Sequence, residues 1–342
     1  MRTASWSRYL RRWEFLLFIC LIVVIVYNSL QVSNFLTAQN QANLLQLSIE
    51  KAIVALIMTF VIISGEIDLS VASMMGLSAA VVARLHESGW NMALAIVATL
   101  AMGLAFGAMN GFFVAKVGIN SLAVTLAGYI GFRGLAEVFI EDNSIGDFPH
   151  WFTHLGQNGL IGPITFSIML FAIMAVVATV VLHFSGFGRR VYAIGANARV
   201  AVYSGVPVAR TRIIIFAMSG FVAALAGVLY TARLGAVRAS TGQGFELDII
   251  TIVLLGGVSI FGGVGSMVGV LLSILLVLNI RNGMTIAGIT GNTQTGVIGL
   301  LLILSVLIPN LASRAHGRFV RRPPVDPQFQ APRAETTAQN AG

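Results

Sequence analysis

The sequence predicts an all-α fold, a polytopic membrane helical bundle of about ten transmembrane helices. Three observations predict it. Of the 342 residues, 57% are hydrophobic and only 10% charged, the mean hydropathy is +0.87, and the apolar residues fall into long runs bounded by glycine, proline or charge. Soluble domains carry about a quarter charged residues, so the solvent of this chain is lipid. A crossing needs about 20 mostly apolar residues, and a chain of this length holds roughly ten.

The first element is the run 13–31, preceded by Arg2, Arg8, Arg11 and Arg12. It has the charge profile of a signal sequence without a convincing small-residue cleavage site after it, and reads as an uncleaved first helix. Cys20 lies within it and is the single cysteine, which excludes an intramolecular disulfide and a cysteine metal cluster. Ile19 before it and the apolar run beyond it speak against a lipoprotein cysteine. Further runs follow at 47–64, 67–85, 92–115, 121–140 and 163–184, then, after a basic loop, at 213–234, 247–261, 267–280 and 295–308. The eighth and tenth are short for a full span, which suggests tilted or broken helices.

Even numbers of crossings before and after the central loop place that loop and both ends of the sequence on one side. They share a charge sign: the first segment has its four arginines, the loop has Arg189, Arg190, Arg199, Arg210 and Arg212, and the last segment has Arg314, Arg318, Arg321, Arg322 and Arg333. By the positive-inside rule all three are cytoplasmic. The net charge of +8 is therefore an orientation signal and not a nucleic-acid surface. The loop 141–162 carries Glu141, Asp142 and Asp147 and no Lys or Arg, and is expected in the periplasm. The organisation read from this is a cytoplasmic segment at 1–12, a transmembrane domain at 13–312 with a cytoplasmic loop at about 185–212, and a tail at 313–342. From Pro323 onward that tail is rich in Pro, Ala, Gln and Thr without apolar period, and is expected to be disordered.

Several segments carry polar chemistry into this apolar frame. SGEIDLSVASMMGLSAA, 64–80, puts Glu66 and Asp68 between two apolar runs with scarcely a loop to hold them. Carboxylates at a membrane boundary are costly if they face lipid. Asp68 and Ser70 suit a helix start, where they accept hydrogen bonds from unpaired amides, or direct contact with a solute or gate. Gly103, Gly107 and Gly111 recur every four residues, a face on which a neighbouring backbone can approach closely. Asn110 lies beside that stripe, suited to a hydrogen bond across helices or to substrate. Arg133 and Glu137, four residues apart, have a local ion pair available to them, either as structural glue or as part of a pathway.

The segment 186–212 alternates short helix-forming stretches with Gly195, Gly205 and Pro207, which are read as interruptions. A docking platform for a cytosolic partner explains this pattern better than a plain loop. LLGGVSIFGGVGSMVG, 254–269, is glycine-rich but lacks the Lys followed by Ser or Thr of a phosphate-binding loop. Its glycines fit close helix packing or a tight re-entrant turn. No metal-spaced His/Cys cluster, nucleophile elbow or dinucleotide fingerprint occurs in the sequence, and His150 and His154 near Trp151 read as interface residues.

Three motifs carry a resemblance. GEIDLSVAS resembles the Gly-Gly-Ile-Asp-Leu-Ser-Val-Gly-Ser signature of the ribose/branched-chain type of ABC importer permease. GRRVYAIGANARVAVYSGV resembles that family's cytoplasmic coupling loop, and GFELDIITIVLLGGVSIFGGVGSMVG its late glycine-rich segment. Glu66 and Ala72 depart from the pattern, where the commoner residue is Gly. Glu66 adds a charge that puts the usual packing of that turn in doubt. FRGLAEVF and DFPHWFTHLGQ look most like permeases for rhamnose and autoinducer-type sugars.

The resemblance implies a permease that moves a sugar or sugar-like solute through the bacterial inner membrane and has no catalytic site of its own. It implies a second permease, identical or a sister chain, separate ABC ATPase subunits that carry ATP and Mg, and a periplasmic sugar-binding protein. No cofactor or metal is expected on this chain. Gly188, Arg189, Tyr192, Gly195 and Asn197 match the coupling motif and are expected to meet the ATPase. Asp68, Ser70, Asn110, Arg133 and Glu137 are the candidates for the translocation pathway or gate. The alternatives are a branched-chain amino-acid permease of the same superfamily and an ion-coupled secondary transporter, for which Glu137 would be the carboxylate.

Overall fold

The computed structural model describes residues 4–31, 35–141, 143–238, 240–291, 293–301, 303, 304 and 307. The compact unit is Met1–Ser305, and the tail expected at 313–342 lies outside the described residues.

Thirteen helices follow in order: α1 (Ala4–Gln31), α2 (Ala38–Gln46), α3 (Ile49–Ile63), α4 (Val71–Glu87), α5 (Met92–Phe112), α6 (Ser121–Ile140), α7 (His150–Gln157), α8 (Phe166–Phe184), α9 (Gly186–Ala196), α10 (Ala198–Tyr203), α11 (Val208–Leu234), α12 (Phe245–Leu255) and α13 (Met267–Ile286). A π-helical turn, Phe113–Val117, prolongs α5, and a two-stranded hairpin of β1 (Gly159–Ile161) and β2 (Ile164–Thr165) precedes α8. Residues 293–301 are helical as well.

The centre of the bundle is α3, α4 and α11. In α3 only Ile57 is not buried, and α4 is buried from Val71 to Ala80. These helices are apolar all round because they meet protein on every side. Of the membrane-length helices, α11 is the most enclosed, with 61% of its apolar window buried against 17% in α1 and α8. The glycine stripe seats α5 on α11: a methyl at Gly107 would lie 3.0 Å from Cα of Gly220, and one at Gly111 would lie 2.9 Å from Cα of Ile213.

Six helices are long and apolar enough to cross a membrane, with α2 and α3, bent by 59° at their junction, a seventh if taken as one span. The expected number of about ten is not reached on this criterion. The apolar run expected at 67–85 is the 17-residue α4, and the one expected at 247–261 is the 11-residue α12. Helices enclosed by other helices need not match the bilayer thickness, because neighbouring protein satisfies the groups their ends leave open.

Two of these helices stop in the same way. After α3, Gly65 takes φ +82°, its N–H donates to the carbonyl of Ile62 and that of Glu66 to the carbonyl of Val61. After α12, Gly257 takes φ +84° and the N–H groups of Gly257 and Val258 donate to Leu254 and Val253. Both are left-handed caps that close the final carbonyls and turn the chain sharply, for which glycine carries no steric penalty.

Candidate functional site

The cap at Gly65 delivers Asp68 into the bundle. Asp68 is 2% exposed, and its carboxylate receives three donors: the N–H of Ser70 at 3.0 Å, Oγ of Ser70 at 2.6 Å and Oγ of Ser219 in α11 at 2.8 Å. Oγ of Ser70 in turn accepts from Nδ2 of Asn110 in α5 at 3.1 Å. Beside it, Oγ1 of Thr125 in α6 donates to the carbonyl of Ile67. One short break between α3 and α4 is therefore tied to α5, α6 and α11 by a chain of polar contacts in an apolar interior, where an unmade bond is costly. Asp68 closes the N–H of Ser70, and no side chain caps α4 itself. Asn110 also faces a cavity of about 520 Å³ between α5 and α6, with Gly128, Phe106 and Phe132 on its wall.

Arg133 and Glu137 stand one turn apart on α6 in different surroundings. Arg133 reaches inward from α6, its Nη1 donating to the carbonyl of Thr241 at 2.9 Å. It passes over Gly76, where a methyl would lie 2.9 Å from that nitrogen. Glu137, one turn on, is exposed on the outer face. The missing side chain of Gly76 leaves the guanidinium room to reach that carbonyl. Glu66, the charge that departs from the family pattern, is buried and paired with Nη2 of Arg212 at 2.7 Å, which ties the α3–α4 turn to the start of α11.

The polar segment after α8 forms two short helices, α9 and α10. Oγ of Ser185 caps α9 by accepting from the N–H groups of Phe187 and Gly188, and Oδ1 of Asn197 caps α10 by accepting from the N–H of Val200. Of the five residues matched to the coupling motif, Arg189 and Asn197 are exposed, while Gly188, Tyr192 and Gly195 face the bundle. A side chain at Gly188 would collide with the carbonyl of Leu182. The hydroxyl of Tyr192 donates to the carbonyl of Gly265 at 2.7 Å, and burial pushes that phenol up to about 12.

Gly195 is the penultimate residue of α9, which ends at Ala196 ahead of the break at Asn197. A side chain there would collide with the carbonyl of Ile63 and the backbone of Gly263, while the N–H of Gly263 donates to that same carbonyl at 2.8 Å. Three backbones, at Ile63–Gly65, Gly195 and Gly262–Gly263, thus meet with almost no side chain between them. This junction lies three residues before Asp68. It absorbs the glycines of 254–269 as both a tight turn and a packing surface, since Gly256 lies against Val270 of α13.

Sequence reasoning missed the buried charges at the far ends of these helices. Nζ of Lys51 meets Oδ2 of Asp248 at 2.8 Å, and Nη2 of Arg281 meets Oδ1 of the same carboxylate at 2.7 Å. Arg233 grips Glu50 with two bonds of 2.7 and 3.1 Å. Glu246 is buried with its Oε2 unpartnered among the described residues. The legible signal was charge of both signs inside apolar runs. Also missed were apolar side chains left in the open next to the short helices: Tyr203 is 91% exposed and Phe261 82%.

A helical bundle with membrane-length helices, a buried polar node and a projecting helix pair defines a multi-pass membrane permease. The family described as "Branched-chain amino acid transport system / permease component" matches residues 40–306, and the chain belongs to it. It is 36% identical to the ribose import permease protein RbsC of Bacillus subtilis (strain 168), over 85% of this chain and 90% of that one. It is 33% identical to the xylose transport system permease protein XylH of Haemophilus influenzae, over 86% and 95%. It is 32% identical to the autoinducer 2 import system permease protein LsrD of Photorhabdus luminescens, over 89% and 93%. No solved structure matches the chain.

Proposed function

We propose that this chain is the membrane-spanning subunit of a bacterial ABC importer for a sugar or sugar-like solute, working in the inner membrane with a second permease, two ABC ATPase subunits and a periplasmic sugar-binding protein. The relatives named for ribose, xylose and autoinducer 2 support the solute class. The observation that carries the mechanism is the glycine junction. It seats α9, the first helix of the coupling segment, directly on the backbone that leads to Asp68.

ATP is bound by the partner subunits, which engage α9 and α10 through Arg189, Asn197 and the exposed Tyr203, and the loop after α12 through the exposed Phe261. Gly188, Tyr192 and Gly195 hold that platform to the bundle. Because the junction is backbone against backbone, a shift of α9 is passed to the α3–α4 turn instead of being absorbed by a side chain. Asp68, Ser70 and Asn110 respond as one unit beside the cavity between α5 and α6, with Arg133 and Glu137 further along α6. The ATPase moves the equilibrium only through its different affinity for the two states, and this chain makes and breaks no covalent bond. Residues 1–12, the loop at 185–212 and the tail at 313–342 lie on the cytoplasmic side, and the loop 141–162 on the periplasmic side.

The test replaces the exposed Arg189 by Glu in the reconstituted complex. The variant inserts and assembles in the membrane, and solute-stimulated ATPase activity falls at least tenfold; stimulation at the wild-type level removes the docking role. A topology reporter joined after Ser144 reads periplasm and one after Asn197 reads cytoplasm, and the reverse pair of readings overturns the orientation.

A further inference from the structure

A groove of about 270 Å³ runs between α3, α8 and α11, with Phe187 of α9 in its lining. Its wall is apolar throughout, with Phe60, Val181, Ile214, Met218 and Val222 along it. Ile214 and Met218 are 40% and 41% exposed, so the groove opens on the outside of the bundle. From Ile214 to Val222 is eight helical residues, about 12 Å, close to the roughly 15 Å of one leaflet of a hydrocarbon core about 30 Å thick. Next to Phe187 and Ile214 the chemistry changes. Arg210 stands one turn before Ile214 on the same face of α11, and Arg190 stands three residues after Phe187 on α9. Both are exposed, and among the described residues neither belongs to an ion pair.

We infer that this groove binds an anionic phospholipid of the leaflet on the coupling-helix side, with an acyl chain between α8 and α11 and its phosphate between Arg190 and Arg210. The apolar side chains that line this groove gain dispersion contacts from an apolar group lying in it, and in a bilayer the group at hand is an acyl chain. Apolar contact does not discriminate one lipid from another, since any diacyl lipid offers the same chain. The arginines supply the discrimination. They stand at one end of the groove alone, at headgroup level, where a basic residue favours an anionic headgroup about fivefold. A helix of a second permease would fill the slot equally well but would bring no anion to Arg190 and Arg210. The site depends on the proposed orientation only for which leaflet supplies the lipid.

The full-length chain, purified in a mild detergent and mixed with equal amounts of phosphatidylglycerol and phosphatidylcholine of the same acyl composition, is read by native mass spectrometry. The wild type retains phosphatidylglycerol at least fivefold over phosphatidylcholine. R190Q/R210Q, whose changes lie on the surface, loses that preference while still holding either lipid. A178F, which fills the groove, loses both lipids. Equal retention of the two lipids by the wild type overturns the site, as does an undiminished preference in R190Q/R210Q. A disulfide-linked dimer formed efficiently by M218C in native membranes also overturns it, by giving the groove to a second copy. Neither ATPase nor solute enters the measurement, so its failure leaves the importer reading standing, and failure of the importer reading leaves the lipid result unchanged.

Discussion

Replacing Glu50 by Ala strips the partner from a nearly buried guanidinium. The Glu50 side chain is 1% exposed and that of Arg233 14%, and the two share bonds of 2.7 and 3.1 Å in a fork-to-fork geometry. Arg233 also lies 4.9 Å from the ring of Tyr230, which cannot neutralise it. Removing one member of a buried pair costs about 3–5 kcal/mol, because the remaining charge stays desolvated. At an unfolding entropy of about 2.1 cal/mol/K per residue, a chain of 342 residues shifts by about 1.4 °C per kcal/mol, so E50A melts at least about 4 °C below the wild type, read by size-exclusion chromatography after heating in detergent. The protein carries its own control. Arg84 and Glu87 form a pair of 2.6 Å with both side chains 48% exposed, and an exposed pair is worth about 0–1 kcal/mol, so E87A melts within about 2 °C of the wild type. E50L/R233M removes both charges together and recovers most of the loss, since an apolar pair of similar volume fits the same site. If E50A and E87A melt together, or if the double variant is worse than E50A, burial is not what governs this pair and the reasoning fails.

Two other perturbations probe the interior node and the platform. D68A leaves three donors in an apolar interior facing nothing, at about 1–3 kcal/mol for an unsatisfied buried group, and stops uptake; S219A removes one of the three donors, costs about 1 kcal/mol and only slows uptake, as measured with labelled solute in whole cells. Tyr192 is pushed up to about 12 by burial from the ordinary phenol value near 10, so the folded state favours its neutral form. That contribution is complete below pH 10 and is lost as pH rises from 10 through 12. Alkaline melting curves of the wild type therefore fall more steeply over this window than those of Y192F, and parallel curves would show that the phenol is not buried in the folded state.

How much of this was legible in the sequence depends on the kind of force involved. Membrane class, the positions of the apolar runs, the glycine face at 103, 107 and 111, and the pair of short helices after α8 follow from composition and local pattern, because each is set by contacts within a few residues or by the solvent. The three motifs identified the family for the same reason. The sequence also pointed to Asp68, Ser70 and Asn110, since carboxylates and amides inside apolar runs are conspicuous. Their junction with Ser219, 151 residues away from Asp68, could not be read from it.

The remainder was decided by packing. Arg133 reaches the carbonyl of Thr241, 108 residues away, because Gly76, on another helix, opens the way. Gly195, in the last turn of α9, is packed where it is because its bare backbone is what Ile63 and Gly263 can touch. Glu50 and Lys51 are adjacent in sequence and find different partners, Arg233 and Asp248, on different helices. Solvent preference and local geometry are properties of a stretch of chain and are written in it. The choice among distant partners is made only when helices close upon one another, since buried charge and bare backbone are satisfied by whatever the fold brings within about 3 Å.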